Sequence, residues 1–381
     1  MNFKKFLSAV AVLALSPFFV TTATADAPLA GMPPVLDQND IYAADRPNQL
    51  SPIVANFPER VYVPNHTSNT LTEIDPKTFK IIRTIKMKAG PQHVVPSWDL
   101  KTLWVNNNAG NYLTPIDPMT GVAGKPIAVH DPYNLYFTPN GKYAVVMAES
   151  DKQIVFRDPH TMAIKKTIHV PCLGVNHADW TKDGNHFLVS CEFSGQLLWI
   201  NTAQMKIEKV MKLPVATGMG ATKTAAMKTP MPQDVKISPD GSTFYIADMI
   251  SDGVWVMKSD QVGSFTLIKT GKAAHGLYVT RDSKTLLITN RGEGSVSVLR
   301  FSDNALVAKW KIPGNGSPDM GGISADGTQF WVSGRYNNVV YIFDILHGKF
   351  LRSVKVGKEP HGLAIYPQPG RYSLGHTGVF R

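Results

Sequence analysis

The chain has only two cysteines, Cys172 and Cys191, in 381 residues, which excludes a small fold held by a disulfide framework. It also lacks the repeated apolar runs of about 20 residues that a multi-span helical membrane protein requires. Charge is sparse at 18%, and the formal net +10 is dispersed without a run of Lys or Arg, so nucleic acid is not an expected partner. With 43% hydrophobic residues the chain is not disordered. Turn formers are plentiful: 30 Gly and 27 Pro are spread evenly, which points to many short elements joined by turns and to an all-β fold.

Residues 1–25 are of a different kind. Lys4 and Lys5 precede an apolar stretch from Phe6 to Val20, and Ala23-Thr24-Ala25 offers small residues suited to cleavage before Asp26. A secretory signal peptide is expected, with an uncleaved anchor as the alternative. The product would be periplasmic or secreted, with no membrane association after cleavage. Residues 26–59 are expected to form an N-terminal arm, Pro-rich at its opening, that adds a strand or covers one rim.

The rest of the chain repeats. A polar turn recurs as SWDLKT, TPNGKY, TKDGNH, SPDGST, TRDSKT and SADGTQ, with YPQPGRY as an equivalent near the end. Its reference positions, Asp99, Asn140, Asp183, Asp240, Asp282, Asp326 and Gln368, are separated by 41, 43, 57, 42, 44 and 42 residues. Each unit contains four short runs of period two, rich in Val, Ile, Leu, Tyr, Phe and Trp, which is the pattern of a four-stranded propeller blade. The first unit lacks its opening strand, and the unused HGLAIYP from His361 can supply it. A seven-bladed β-propeller over residues 60–381 is therefore expected, with its closing blade shared by both ends of the chain.

The strings VYVPN, LWVNN and LLITN, each followed by a turn and an alternating strand, resemble the YVTN family of β-propeller repeat proteins. The resemblance implies an exported seven-bladed propeller, similar also to the haem d1-binding propeller of cytochrome cd1 nitrite reductases and to lactonase-type propellers. It does not carry an activity with it. The terminal GRYSLGHTGVFR lies outside the repeat and is expected to pack against the closing blade.

In such a fold the loops entering the innermost strands and the loops after the second strands share one face, where function usually sits. Three aligned columns fall there. The first reads Gln92, Tyr133, Asn176, Gln233, His275, Asp319 and His361. The second reads His93, Asn134, His177, Asp234, Gly276, Met320 and Gly362. The third reads His66, Asn108, Glu149, Glu192, Met249, Arg291 and Arg335. Strand alternation predicts that His275 and His361 face one way while His93 and His177 face the other, so some of them would pack between blades. The remaining histidines, His376 among them, are expected in solvated or capping roles.

Two kinds of ligand suit these columns. Arg291 and Arg335, with His66, His275, Asp319 and His361, could hold a small anionic ligand, or they could form structural ion pairs across the mouth. His93, His177 and Asp234, joined by Glu149 or Glu192, could hold a transition metal, with copper weakly favoured, or a haem-type cofactor. Propeller mouths lined with His bind copper in nitrous-oxide-reductase-like proteins, but this sequence lacks that family's wider pattern. An insertion over 214–230, carrying Met219 and Met227 with Met231 just beyond, is placed to cover the mouth. Cys172 and Cys191 both reach the mouth of blade four, and an exported chain favours a disulfide between them.

No GxSxG elbow, P-loop, GxGxxG after a strand or CxxCH is present. The expected function is a binding or accessory propeller that holds a metal, a redox cofactor or a small anionic ligand. A lactonase-like hydrolase or oxidoreductase using the same site is the enzymatic alternative, and a platform for another exported protein is the third.

Overall fold

Seven antiparallel sheets follow one another around a central axis in the computed structural model, which describes residues 27–215, 229–376 and 378–381. The expected signal peptide and most of the 214–230 insertion lie outside the described residues. In blades one to seven the innermost strands are Ala364–Tyr366, Pro91–Pro96, Asn134–Phe137, Val175–Trp180, Pro232–Ile237, Ala274–Val279 and Pro318–Ile323. Blade one is the closing blade: Ala364–Tyr366 pairs with Arg60–Asn65, which is followed outward by Thr70–Ile74 and Ile81–Lys86.

Burial falls from the axis outward. Pro232–Ile237 and Thr243–Asp248 of blade five are buried along their whole length, whereas the outermost strand of blade seven, Lys349–Lys355, is largely exposed. Lysines stand on these outer edges, including Lys206, Lys209 and Lys212 of blade four, where a charged side chain blocks edge-to-edge pairing.

The repeat's turn residues have a specific task. Ser97, Thr138, Thr181 and Thr280 donate their hydroxyls to Asp99, Asn140, Asp183 and Asp282 at 2.5–2.8 Å. Those acceptors also take the backbone N–H two residues on, closing an Asx turn. At the other face the Asn ending the second strand ties it to the third: Asn65, Asn107 and Asn290 donate to Thr72, Thr114 and Ser297 at 2.9–3.0 Å. Blade five has Asp248 at this place, and Trp255 donates to it at 3.0 Å, so the link survives with its polarity reversed.

The N-terminal arm circles the rim opposite the mouth. It first meets blade four at Asp183 and blade three at Asn140, and then blades five, six, seven and one in order at Pro239, Arg281, Ala325 and Pro369. The C-terminal segment follows a different path from the one expected. It forms a hairpin, Ser373–Gly375 with Val379–Phe380, that joins the inner edge of blade three through Gly375 and Tyr136. Arg381 then reaches Asp179 at 2.8 Å and lies 4.5 Å over the Tyr42 ring, which locks arm and tail together across the lower end of the channel.

Candidate functional site

Five of the innermost strands break register at their start: Pro91/His93, Val175/Ala178, Pro232/Val235, Ala274/Leu277 and Pro318/Gly321. These irregularities fall on the first two columns and free their side chains from strict alternation. The histidines of both columns therefore reach the axis at two heights, His275 and His361 above His93 and His177, so the expected division into two pairs appears as two layers around the axis. His361 stands 4.8 Å from His93 and 5.9 Å from His275, ring centre to ring centre, although alternation puts His93 in the opposite phase.

The upper layer is an open cup of about 320 Å³. First-column Gln92, Tyr133, Gln233, His275 and His361 line it together with third-column His66, Asn108, Glu149, Glu192, Arg291 and Arg335. Its charge is divided. Asp319, fully buried beneath the basic side, is hydrogen-bonded to Arg291 at 3.0 Å, Arg335 at 3.5 Å and His361 Nδ1 at 2.5 Å, with His275 Nδ1 beside it at 3.1 Å outside hydrogen-bonding geometry. Burial opposes ionisation of Asp319, but His275, His361 and Arg291 together outweigh it and hold the carboxyl well below its usual range. Burial pushes His275 down to about 3 against the opposing charge of Asp319. Arg291 also stacks over Tyr336 at 5.6 Å and touches Met249 Sδ at 3.0 Å, which fixes its guanidinium.

Across the cup, burial and then the neighbouring charge of Glu192 push the Glu149 carboxyl up to about 8. Burial raises Glu192 too, although Asn176 donates to it at 2.8 Å. Cys172 and Cys191 are disulfide-bonded in the same blade, with Cα atoms 6.0 Å apart, next to this acidic wall.

The lower layer is the floor, and it is sealed. His93, Asn134, His177 and Asp234 are fully buried there. His376, expected among the solvated histidines, is buried with them, its ring 4.7 Å from His177 and 5.2 Å from His93. The hairpin carries it up from below; its Gly375, at φ 94°, would bring a Cβ to 2.5 Å from Tyr136 Cα, so only glycine allows this approach. Three potential ligands, from His177, Asp234 and His376, lie within 4.8 Å of one another. Glu149 and Glu192, expected to join such a set, stand in the cup wall instead, because the loops that carry them end a layer higher. His93 is held by its Nδ1 at 2.9 Å from the Tyr133 carbonyl of the next blade. Burial pushes Asp234 up to about 6, against the counteracting charge of Lys236 and the N–H groups of Leu277 and Val235.

The only sequence signal for His376 was the glycine spacing of SLGHTG, and its position outside the repeat concealed its partners. The other expected residues fall into the two layers: His66, His275, Arg291, Asp319, Arg335 and His361 at or directly beneath the cup, and His93, His177 and Asp234 in the floor.

The YNCE-like beta-propeller family model matches residues 44–369. No curated protein sequence matches the chain significantly. Among solved structures, the periplasmic gluconolactonase of Pseudomonas aeruginosa superimposes with a TM-score of 0.65 at 16% identity, covering 82% of this chain and 99% of that one. The dihydro-heme d1 dehydrogenase NirN in complex with DHE gives 0.60 at 12% identity, with coverages of 88% and 78%. Kuenenia stuttgartiensis hydrazine synthase gives 0.58 at 19% identity, with coverages of 71% and 88%. At these identities the likeness is one of fold.

Proposed function

The chain belongs to the YNCE-like beta-propeller family, and from that premise we propose that it is an exported binding protein that captures a small hydroxylated anion in the axial cup. The observation that carries this reading is the division of the cup: Arg291 and Arg335 on one side, the proton-retaining Glu149 on the other, with Gln92, Asn108 and Gln233 between them. Each guanidinium has five donors and spends one on Asp319, so both keep donors for a carboxylate or phosphate. The amides and the protonated Glu149 suit hydroxyl groups. Export is supported by the leader-like sequence before Asp26 and by the Cys172–Cys191 disulfide.

Calorimetric titration with gluconate and with inorganic phosphate tests the reading. Saturable binding of either, weakened in Arg291→Ala and Arg335→Ala chains that circular dichroism shows still folded at the assay temperature, is the expected result. Absence of binding, or binding indifferent to both substitutions, refutes it.

One observation favours a hydrolytic reading as well. As water adds to a lactone carbonyl and the ring C–O bond breaks, a carboxyl that keeps its proton near neutral pH can donate it to the leaving ring oxygen and recover one from the added water, while the two arginines it faces hold the developing negative charge. The gluconolactonase likeness makes gluconolactone the first substrate to assay. Turnover abolished in Glu149→Gln, with gluconate binding retained, would establish it.

A further inference from the structure

We propose that His177, Asp234 and His376 form a site for one divalent first-row transition-metal ion, and that this ion fastens the C-terminal hairpin inside the channel. The site lies below the ligand cup and shares none of the cup's residues, so it goes beyond the anion reading. Asp234 Oδ1 is 3.9 Å from His177 Nδ1 and 3.7 Å from His376 Nε2. Ligands at about 2.1 Å around a tetrahedral ion are separated by about 3.4 Å, so these edges need to close by about 0.5 and about 0.3 Å, and the third, within 4.8 Å, closes with them as the ion binds. Two imidazoles and a carboxylate, without thiolate, are a borderline donor set. It suits Zn(II), Co(II), Ni(II) or Cu(II) and not the all-oxygen shell of Ca(II) or Mg(II).

The surroundings are those of a prepared site. The backbone N–H of Val235 donates to Asp234 Oδ1 and that of Leu277 to Oδ2, both at 2.9 Å, which fixes the carboxylate plane. The Asn134 amide nitrogen lies 3.2 Å from Nδ1 of both His177 and His376, so in the metal-free chain it donates to these rings, and ion uptake requires it to release His177 Nδ1 and turn away from His376 Nδ1. His93 adds an independent observation. Its Nδ1 faces the Tyr133 carbonyl and therefore carries the proton, which leaves Nε2 as a buried lone pair with no hydrogen-bond partner among the described residues. His177 Nε2 is likewise buried and without a hydrogen-bond partner among the described residues. Unpaired polar atoms in a sealed interior are costly; His177, which turns Nδ1 to Asp234, keeps its proton on Nε2, and it is the His93 lone pair, on a ring 5.2 Å from that of His376, that an ion in this floor would relieve.

The consequence for the fold is specific. Asp234 and His177 belong to neighbouring blades, whereas His376 arrives on the tail, so the coordination set is complete only when the hairpin is inserted. Metal uptake and tail docking are then one linked equilibrium.

The test uses the full mature chain, stripped with a chelator and titrated with Zn(II) and with Co(II). One ion per chain is expected, with a visible Co(II) band, a rise in unfolding temperature and slower amide exchange in residues 371–381. His376→Ala and His376→Gln should each weaken Zn(II) binding by at least about 100-fold, since loss of even an outer partner costs about 10–100-fold. Both should also abolish the metal-dependent slowing of exchange. Arg291→Ala, which disables the cup, should leave uptake unchanged, so the two proposals fail separately. The metal proposal is overturned if the folded chain takes up no ion, if the His376 variants bind as the parent does, or if the ion binds without altering exchange in the hairpin.

Discussion

Gly362 of blade one lies directly against the His93 ring of blade two. The two residues form a parallel bridge, with Val94 N–H donating to the Gly362 carbonyl and Gly362 N–H to the Gln92 carbonyl, each at 2.9 Å. A Cβ at 362 would collide with His93 Cδ2. Gly362 is the second-column residue of its blade, and its missing side chain makes room for that ring at the axis.

Gly362→Ala should therefore displace His93 without introducing any new polarity. Overpacking of this kind costs about 1–3 kcal/mol. Urea denaturation should show that loss, and the His93 ring resonances should shift while those of the surface histidine His347 do not. An unchanged His93 spectrum would show that the ring does not depend on the glycine.

Asp319 is the one carboxylate among two guanidiniums and two imidazoles at the base of the cup. Asp319→Asn leaves Arg291 and Arg335 partly buried without their counter-charge, and breaking such a pair costs about 3–5 kcal/mol. The same change releases guanidinium donors toward the cup. Stability measured by denaturation should fall while the affinity for gluconate or phosphate rises. A parallel fall of both would mean that the arginines serve Asp319 alone.

The architecture was legible because the turn chemistry is repeated almost unchanged from Ser97 to Ser324, and each hydroxyl–Asx pair marks one passage of the chain across the lower face. Column membership at the mouth was equally readable, since Glu149, Arg291 and Arg335 are fixed by their distance from those turns. The layering was not. It depends on register breaks such as Pro91/His93, which alternation cannot anticipate. His376 was hidden for another reason: its partners His177 and Asp234 are brought to it by the closure of the whole ring, and no local pattern encodes that contact.

The disulfide closes 19 residues of blade four and flanks the wall that carries Glu192. In the chain-entropy view a loop of this size contributes about 3 kcal/mol. Reduction, or the Cys172→Ser/Cys191→Ser pair, should lower stability by about that amount and leave the seven-bladed fold intact by circular dichroism. Equal unfolding curves with and without reductant would remove the disulfide from the account of stability.

Glu149 gives the pH dependence its sign. Its carboxyl ionises at about 8 in the folded chain, displaced by burial and then by Glu192, against 4.5 when unperturbed. Between those values the folded state keeps a proton that the unfolded state has released, so stability falls as pH rises through this window and levels off above it. Glu149→Gln removes the titrating group and preserves the shape. The variant should match the parent near pH 4.5 and become progressively more stable than it toward pH 8, as read from unfolding temperatures across the range. Binding should follow the same group: if the protonated carboxyl donates to a ligand hydroxyl, gluconate affinity in the parent drops above pH 8 and that drop is absent in Glu149→Gln. A stability difference independent of pH would mean that Glu149 is ionised in the cup at neutral pH, and would remove the donor on which the hydrolytic reading depends.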